Sequence, residues 1–332
     1  MLLPGANPLP SFLSQNTWID LQIGIDQPLL LDILQRAIGG EPPGPEIRAR
    51  LKETLTRISP YKGLAFFREE DAPFFFGRQQ AIATLVDAVN KRHFVAVVGS
   101  SGSGKSSVVR AGLVPQLRKD IRNPWEIVTI VPNDRPLYNL AASLVPLLEP
   151  ELDETDRLIQ ISKQAEAFTS GTLQVRDVIQ RILEKQRGTA HVMLIVDQWE
   201  ELYTLTSNDD ERRRFIDELL SATAAKSLSV VLTLRGDFVG HALAYRPLSD
   251  RMQDAQVNLG PMQRDELQLA IEQPARAVDA DFESGLVARI LDDVGEEPGN
   301  LPLLAFVLQK LWSSSARAVV PENRWQRSLC RS

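Results

Sequence analysis

Short apolar runs alternate with longer amphipathic stretches along most of the chain. The runs 94–98, 125–131, 192–196 and 229–235 are rich in β-branched residues, and 256–259 is a shorter fifth. Such runs predict strands buried on both faces of a parallel sheet. Between them, 79–89, 108–117, 137–148 and 172–185 carry helical spacing. In the last, Leu173, Val175, Val178, Ile179 and Ile182 supply the apolar stripe. The acidic and polar stretch 149–170 reads as a helix–loop insertion of variable structure. From 260 onward the pattern is wholly helical, over 264–272, 283–292 and 301–312. The alternation predicts an α/β fold, a parallel β-sheet flanked by helices, followed by a helical lid. At the start, 17–23 reads as a strand and 27–38 as a helix, too little to bury a core alone. Gly39-Gly-Glu-Pro-Pro-Gly-Pro45 is a linker by composition, and 46–58 a charged spacer helix. The basic tail 314–332 has no apolar period and is read as unstructured.

The strand at 94–98 leads into Gly99, Ser100, Ser101, Gly102, Ser103, Gly104, Lys105 and Ser106, which fill G-x-x-x-x-G-K-[ST] without a gap. Strand, glycine loop and helix form a P-loop. Its glycines let successive backbone N–H groups face an anion, and the helix adds its positive end. Lys105 is expected to reach the β- and γ-phosphates of ATP, and the Ser106 hydroxyl to sit on Mg²⁺; Ser107 extends the cradle. G-x-G-x-x-G fails because Ser107 stands at its last glycine, which excludes the dinucleotide fingerprint. G-x-S-x-G fails because Ser103 follows Gly102.

Asp197 closes the run 192–196, where a carboxylate meets the Mg²⁺ of a P-loop nucleotide. Glu200 and Glu201 follow. Either would orient or deprotonate an attacking water, with Glu201 preferred, although acidic residues also suit a first helical turn. Thr233 and Arg235 end the next strand, and Arg235 is a candidate γ-phosphate sensor or a surface ion-pair residue. Aromatic residues crowd 66–76, most of them suited to core packing. Phe76-Gly77-Arg78, just before a helix, is the candidate adenine-side segment. His93 and His191 are read as structural residues at strand edges.

The composition is that of a globular protein, 43% hydrophobic and 24% charged over 332 residues, with a net charge of -6. That balance argues against a nucleic-acid backbone as partner. One cysteine, Cys330, excludes a disulfide framework and points to a reducing, cytoplasmic setting. No apolar run is long enough to span a membrane.

The chain resembles the STAND class of P-loop ATPases, and within it the novel STAND, NACHT-like family. The resemblance rests on Pro60-Tyr-Lys-Gly-Leu64, Phe75-Phe-Gly-Arg78, the P-loop, Ile195-Val-Asp-Gln-Trp-Glu-Glu-Leu202, Leu232-Thr-Leu-Arg-Gly-Asp-Phe238, Leu259-Gly-Pro-Met262 and Pro298-Gly-Asn-Leu-Pro-Leu-Leu304. It implies an ASCE core at 59–259 whose Arg235 strand lies between the P-loop and Asp197 strands. It also implies an incomplete lid at 260–313 from which Pro302 approaches the adenine. In such proteins ATP binding drives oligomerisation and signal transduction, so a homo-oligomer is expected. Residues 2–13 and 17–21 resemble the closing part of a TIR domain. The catalytic glutamate of that family has no counterpart here, so no NAD cleavage is expected. The residues leave three functions open: a slow Mg²⁺-ATPase switch, a nucleotide-holding scaffold or inactive truncated fragment, and a DNA-dependent ATPase.

Overall fold

The computed structural model describes residues 59–120, 124–186, 188–224, 228–294 and 299–318. The expected TIR-like segment, linker and spacer helix lie outside the described residues, as does the tail beyond 318. The described chain forms two compact units. One comprises Phe67–Ala72 with Arg78–Met262; the other comprises 59–66, Pro73–Gly77 and the chain from 263 onward.

In the first unit, α1 (Gln79–Lys91) precedes β1 (Phe94–Gly99). A helical run from Lys105 follows and is called α2. It has an α-turn at Lys105–Ser107, a π-helical stretch at Val108–Leu113 and a final α-helical part at Val114–Arg118. The π stretch contains Gly112, where a Cβ would lie 2.6 Å from a carbon of Ile82. Then come β2 (Trp125–Ile130), α3 (Pro136–Leu148), α4 (Glu154–Ser170), α5 (Val175–Lys185), β3 (His191–Val196), the short α6 (Glu201–Thr204) and α7 (Asp209–Thr223). The unit ends with β4 (Leu228–Arg235), α8 (Val239–Leu243), α9 (Arg246–Met252) and β5 (Gln256–Leu259).

The sheet is parallel throughout, in the order β2-β3-β4-β1-β5. The Arg235 strand therefore lies between the P-loop and Asp197 strands, as the resemblance implies. Register places Gly99 beside Arg235 and Val196 beside Leu232. All strands point the same way, so the loops at their C-terminal ends gather on one edge. β3 and β4 are buried almost along their whole length, which accounts for the unbroken apolar run 192–196 in β3; in β4 only Ser229 and Thr233 interrupt the apolar residues before Arg235.

The stretch 149–170 is a correction. It holds a regular 17-residue helix, α4. Asp153 caps it by accepting from the Asp156 N–H, and Gly171 ends it in a left-handed conformation with φ 77°. Ile161, Ala165 and Phe168 form its buried stripe, so packing overrides a polar composition. α7 is similar, with Asn208 as its cap and Phe215, Ile216, Leu219 and Ala222 buried. Trp199, Phe168 and Phe215 are the largest side chains in the core. The Trp199 indole N–H donates to the Tyr203 hydroxyl at 3.1 Å, which satisfies its polar end.

The second unit contains α10 (Arg264–Arg276), α11 (Leu286–Val294) and α12 (Asn300–Ala318), which runs past the expected end at 312. A Gln263/Glu266 capping box opens α10. Residues 59–66, read from the sequence as part of the core, pack with these helices instead. The buried Tyr61 hydroxyl donates to the Ile271 carbonyl at 2.6 Å, and its ring meets Phe282 and Trp312 edge-on. Desolvation raises the Tyr61 hydroxyl well above its ordinary pKa.

Candidate nucleotide-binding site

β1 delivers the chain at Gly99 to the sheet edge. A Cβ on Gly99 would lie 2.7 Å from both the Leu259 carbonyl oxygen and the Ser103 hydroxyl, so β5 and the loop close on a bare backbone. Gly102 and Gly104 turn the loop through left-handed conformations, φ 74° and 89°. Among the described residues the buried Ser103 hydroxyl has no hydrogen-bond partner. The Arg78 guanidinium donates to the Ser103 carbonyl at 2.9 Å, bracing the loop from the start of α1. Ser107 is also buried, and its hydroxyl accepts from the Phe67 N–H at 3.1 Å.

Lys105 is buried and donates to the carbonyls of Gly99 at 3.0 Å and Ser100 at 2.8 Å. Burial pushes its pKa down, and Glu200 pulls hardest in the opposite direction, ahead of Asp197 and Asp237. Ser100 and Ser101 are exposed. With Gly99, Arg235, Asp237 and Asn258 they line a cleft of about 500 Å³ over the ends of β1, β4 and β5.

Asp197 is the hub, 1% exposed at the end of β3. Its Oδ1 accepts from the Ser106 hydroxyl at 2.8 Å and the Thr233 hydroxyl at 2.7 Å. Its Oδ2 accepts from Arg110 Nε at 3.2 Å and Nη2 at 2.9 Å. Ser106 lies 91 positions from Asp197 in the chain, yet the fold joins them directly. Thr233 also fixes the turn beyond, since its hydroxyl accepts from the Gln198 N–H and its carbonyl from the Trp199 N–H, each at 2.9 Å. Gln198 adopts φ 59° there, an uncommon conformation held by those bonds.

That turn separates the two glutamates. Glu200 accepts from the Arg235 backbone N–H at 3.3 Å, on the P-loop side. Glu201 accepts from the Asn133 N–H at 3.1 Å, in the loop after β2. Desolvation raises the Glu201 pKa. The Arg235 side chain grips Asp237 at 3.1 and 2.6 Å and lies over the Phe238 ring, holding the Asp237 carboxyl below its ordinary pKa. Phe76, half-buried, and Gly77 belong to the other unit, as does Pro302 in the first turn of α12.

The residues fit a magnesium nucleotide. Among the described residues no three His, Cys, Asp or Glu side chains converge on a metal position. An ion held by Ser106 and nucleotide oxygens, with Asp197 behind, matches the sparse protein ligation magnesium prefers. Arg110 and Asp237 were not singled out from the sequence. Arg110 had a readable signal, four positions after Ser106 and so on the same helical face.

The family model described as Novel STAND NTPase 1 matches residues 60–328, well over half of the chain. The chain belongs to that family. It is therefore a nucleotide-binding NTPase of the P-loop type. Among solved structures it is similar to the Walker-type ATPase PABY2304 of Pyrococcus abyssi. That match has 16% identity and a TM-score of 0.52, over 75% of this chain and 70% of that one. It is also similar to the Aeropyrum pernix ORC1 protein in complex with DNA, at 14% identity and a TM-score of 0.51. Here 74% of this chain matches, and it spans 61% of the ORC1 chain, less than two thirds. At these identities the likeness is one of fold. No curated protein matches the sequence.

Proposed function

We propose that this STAND-family NTPase binds Mg-ATP, cleaves it slowly, and couples its nucleotide state to self-association. The observation that carries the reading is the direct bond from the P-loop Ser106 to Asp197, beside Lys105 in its glycine cradle. Backbone N–H groups of 99–107 would hold the phosphates and Lys105 would neutralise their charge. Magnesium, held by Ser106 with Asp197 behind it, would supply charge stabilisation at the transferred phosphoryl group. Asp197 would orient the Ser106 hydroxyl through its hydrogen bond.

The water-orienting base moves from Glu201 to Glu200. Glu200 is the carboxylate with the greatest electrostatic pull on Lys105, whereas Glu201 is bonded to the Asn133 loop. Arg235 would exchange Asp237 for a γ-phosphate. Phe76, Gly77 and Pro302 would flank the adenine, with Arg78 bracing the loop. ATP and ADP are the expected small-molecule partners, a second copy of the chain the expected protein partner, and the cytoplasm the setting. No described helix is long and apolar enough to cross a membrane. The TIR-like reading of the first residues adds no activity to this proposal.

A second reading, a nucleotide-holding scaffold without turnover, is favoured by the complete pairing of Asp197 with protein donors. Single-turnover cleavage of ATP separates the two. A rise in melting temperature with Mg-ATP that is absent in Lys105→Ala supports the site. An equal rise in both proteins, or none in the wild type, refutes it.

A further inference from the structure

Asp197 has no acceptor position to spare. A carboxylate offers about four, two on each oxygen. Ser106 and Thr233 occupy Oδ1, and Arg110 takes both positions on Oδ2 through Nε and Nη2. Magnesium keeps several of its waters when bound, and those waters donate to nearby carboxylates. Asp197 would accept from one of them only after an existing donor leaves. The guanidinium, 2.9 Å away, also neutralises the charge that would attract the ion.

The three donors differ in their freedom to leave. Thr233 is buried in β4 between β3 and β1, and its hydroxyl also holds the Gln198 N–H. Ser106 is itself the expected metal ligand. Arg110 is half-buried, on a long side chain rooted in the π-helical stretch of α2. π-Helical turns in an otherwise α-helical run are uncommon and concentrate at functional sites.

We propose that Arg110 is a built-in competitor for magnesium: it holds Asp197 in the nucleotide-free protein and withdraws from Oδ2 when a magnesium nucleotide enters. This rests on the reading of the site as an Mg-ATP site. The arginine then acts as a positioning residue that raises the magnesium concentration needed to load the protein.

The test measures binding of a fluorescent ATP analogue to the full-length protein while magnesium is titrated, for wild type, Arg110→Gln and Arg110→Lys. Removing the competitor is expected to lower the half-saturating magnesium concentration by at least about fivefold in Arg110→Gln, the lower end of ordinary site-to-site coupling. Arg110→Lys keeps a charge but loses the fork, and is expected to fall between. Affinity without magnesium is expected to be the same in all three. A half-point in Arg110→Gln equal to or above that of wild type overturns the proposal, because a merely structural arginine would give that result. If Arg110→Gln does not fold, Arg110→Lys decides, and an unshifted half-point there overturns it. Failure of the underlying reading looks different: the wild type then binds no nucleotide at any magnesium concentration, or Lys105→Ala binds equally well.

Discussion

Two arginine–aspartate pairs stand at the ends of neighbouring strands in the same sheet, and they are built differently. Arg110–Asp197 has side chains 22% and 1% exposed; Arg235–Asp237 has 39% and 56%. The first pair joins α2 to β3 and shares its carboxylate with Ser106 and Thr233. The second lies within one turn, two residues apart, over the Phe238 ring. A buried charge is fixed by all of its partners at once, and removing one strands the others. An exposed pair has water as a ready substitute and so exchanges partners easily. The buried pair yields only to a ligand that replaces the donor it loses, whereas the exposed pair exchanges readily with whatever arrives.

The largest expected effect sharpens that contrast directly. Asp197→Ala leaves the Arg110 guanidinium, the Thr233 hydroxyl and the Ser106 hydroxyl without their common acceptor. It should lower stability by about 3–5 kcal/mol in urea unfolding. Asp237→Ala should leave the midpoint unchanged within error, and an equal loss in both variants would erase the distinction. Next in size is the catalytic split. Glu200→Gln should slow single-turnover ATP cleavage by about 10²-fold or more, the lower end of general-base contributions. Glu201→Gln should slow it far less; equal slowing would return the assignment to Glu201.

Ligand stabilisation is smaller. At one hundred times Kd, Mg-ATP should add about 2.7 kcal/mol, or roughly 5–10 °C of melting temperature for a core of this size. Arg235→Ala should keep that gain for ADP while losing about tenfold in affinity for ATP, as expected for one lost charge-assisted hydrogen bond. An unchanged preference would confine Arg235 to its pair with Asp237.

The smallest effect concerns pH. The folded protein holds the Lys105 pKa below its ordinary value of 10.5 through burial. Between that lowered pKa and 10.5 the unfolded chain binds more protons, so stability rises with pH. Relative to Lys105→Met, the unloaded wild type should therefore gain stability across that alkaline window. A difference that stays flat or falls with pH would show that Lys105 is not desolvated.

Much of this arrangement was readable along the chain. The P-loop is contiguous, and its residues carry their chemistry in order. The runs 94–98 and 192–196 announce buried strands because nothing polar interrupts them, and 229–235 does so although Thr233 stands among its apolar residues. Strand order came only through resemblance to a family, since periodicity does not specify neighbours. α4 was misread because burying Ile161, Ala165 and Phe168 outweighs its polar surface. Adjacent glutamates share every local signal. The two diverge through the φ 59° turn at Gln198, which is held by a strand distant in sequence. Arg110 shares a helical face with Ser106, but nothing local marks its bond to Asp197, 87 positions away.

Thr233 draws these threads to a single atom group. It sits one strand inward from the acid it steadies, and it sets the path of the backbone that carries both glutamates. Exchanging it for valine would keep the shape of β4 while removing the hydroxyl. Such a protein would still capture phosphate in an intact glycine cradle, yet aim its carboxylates poorly: occupancy without conversion, uncoupled by a residue that need never meet the ligand.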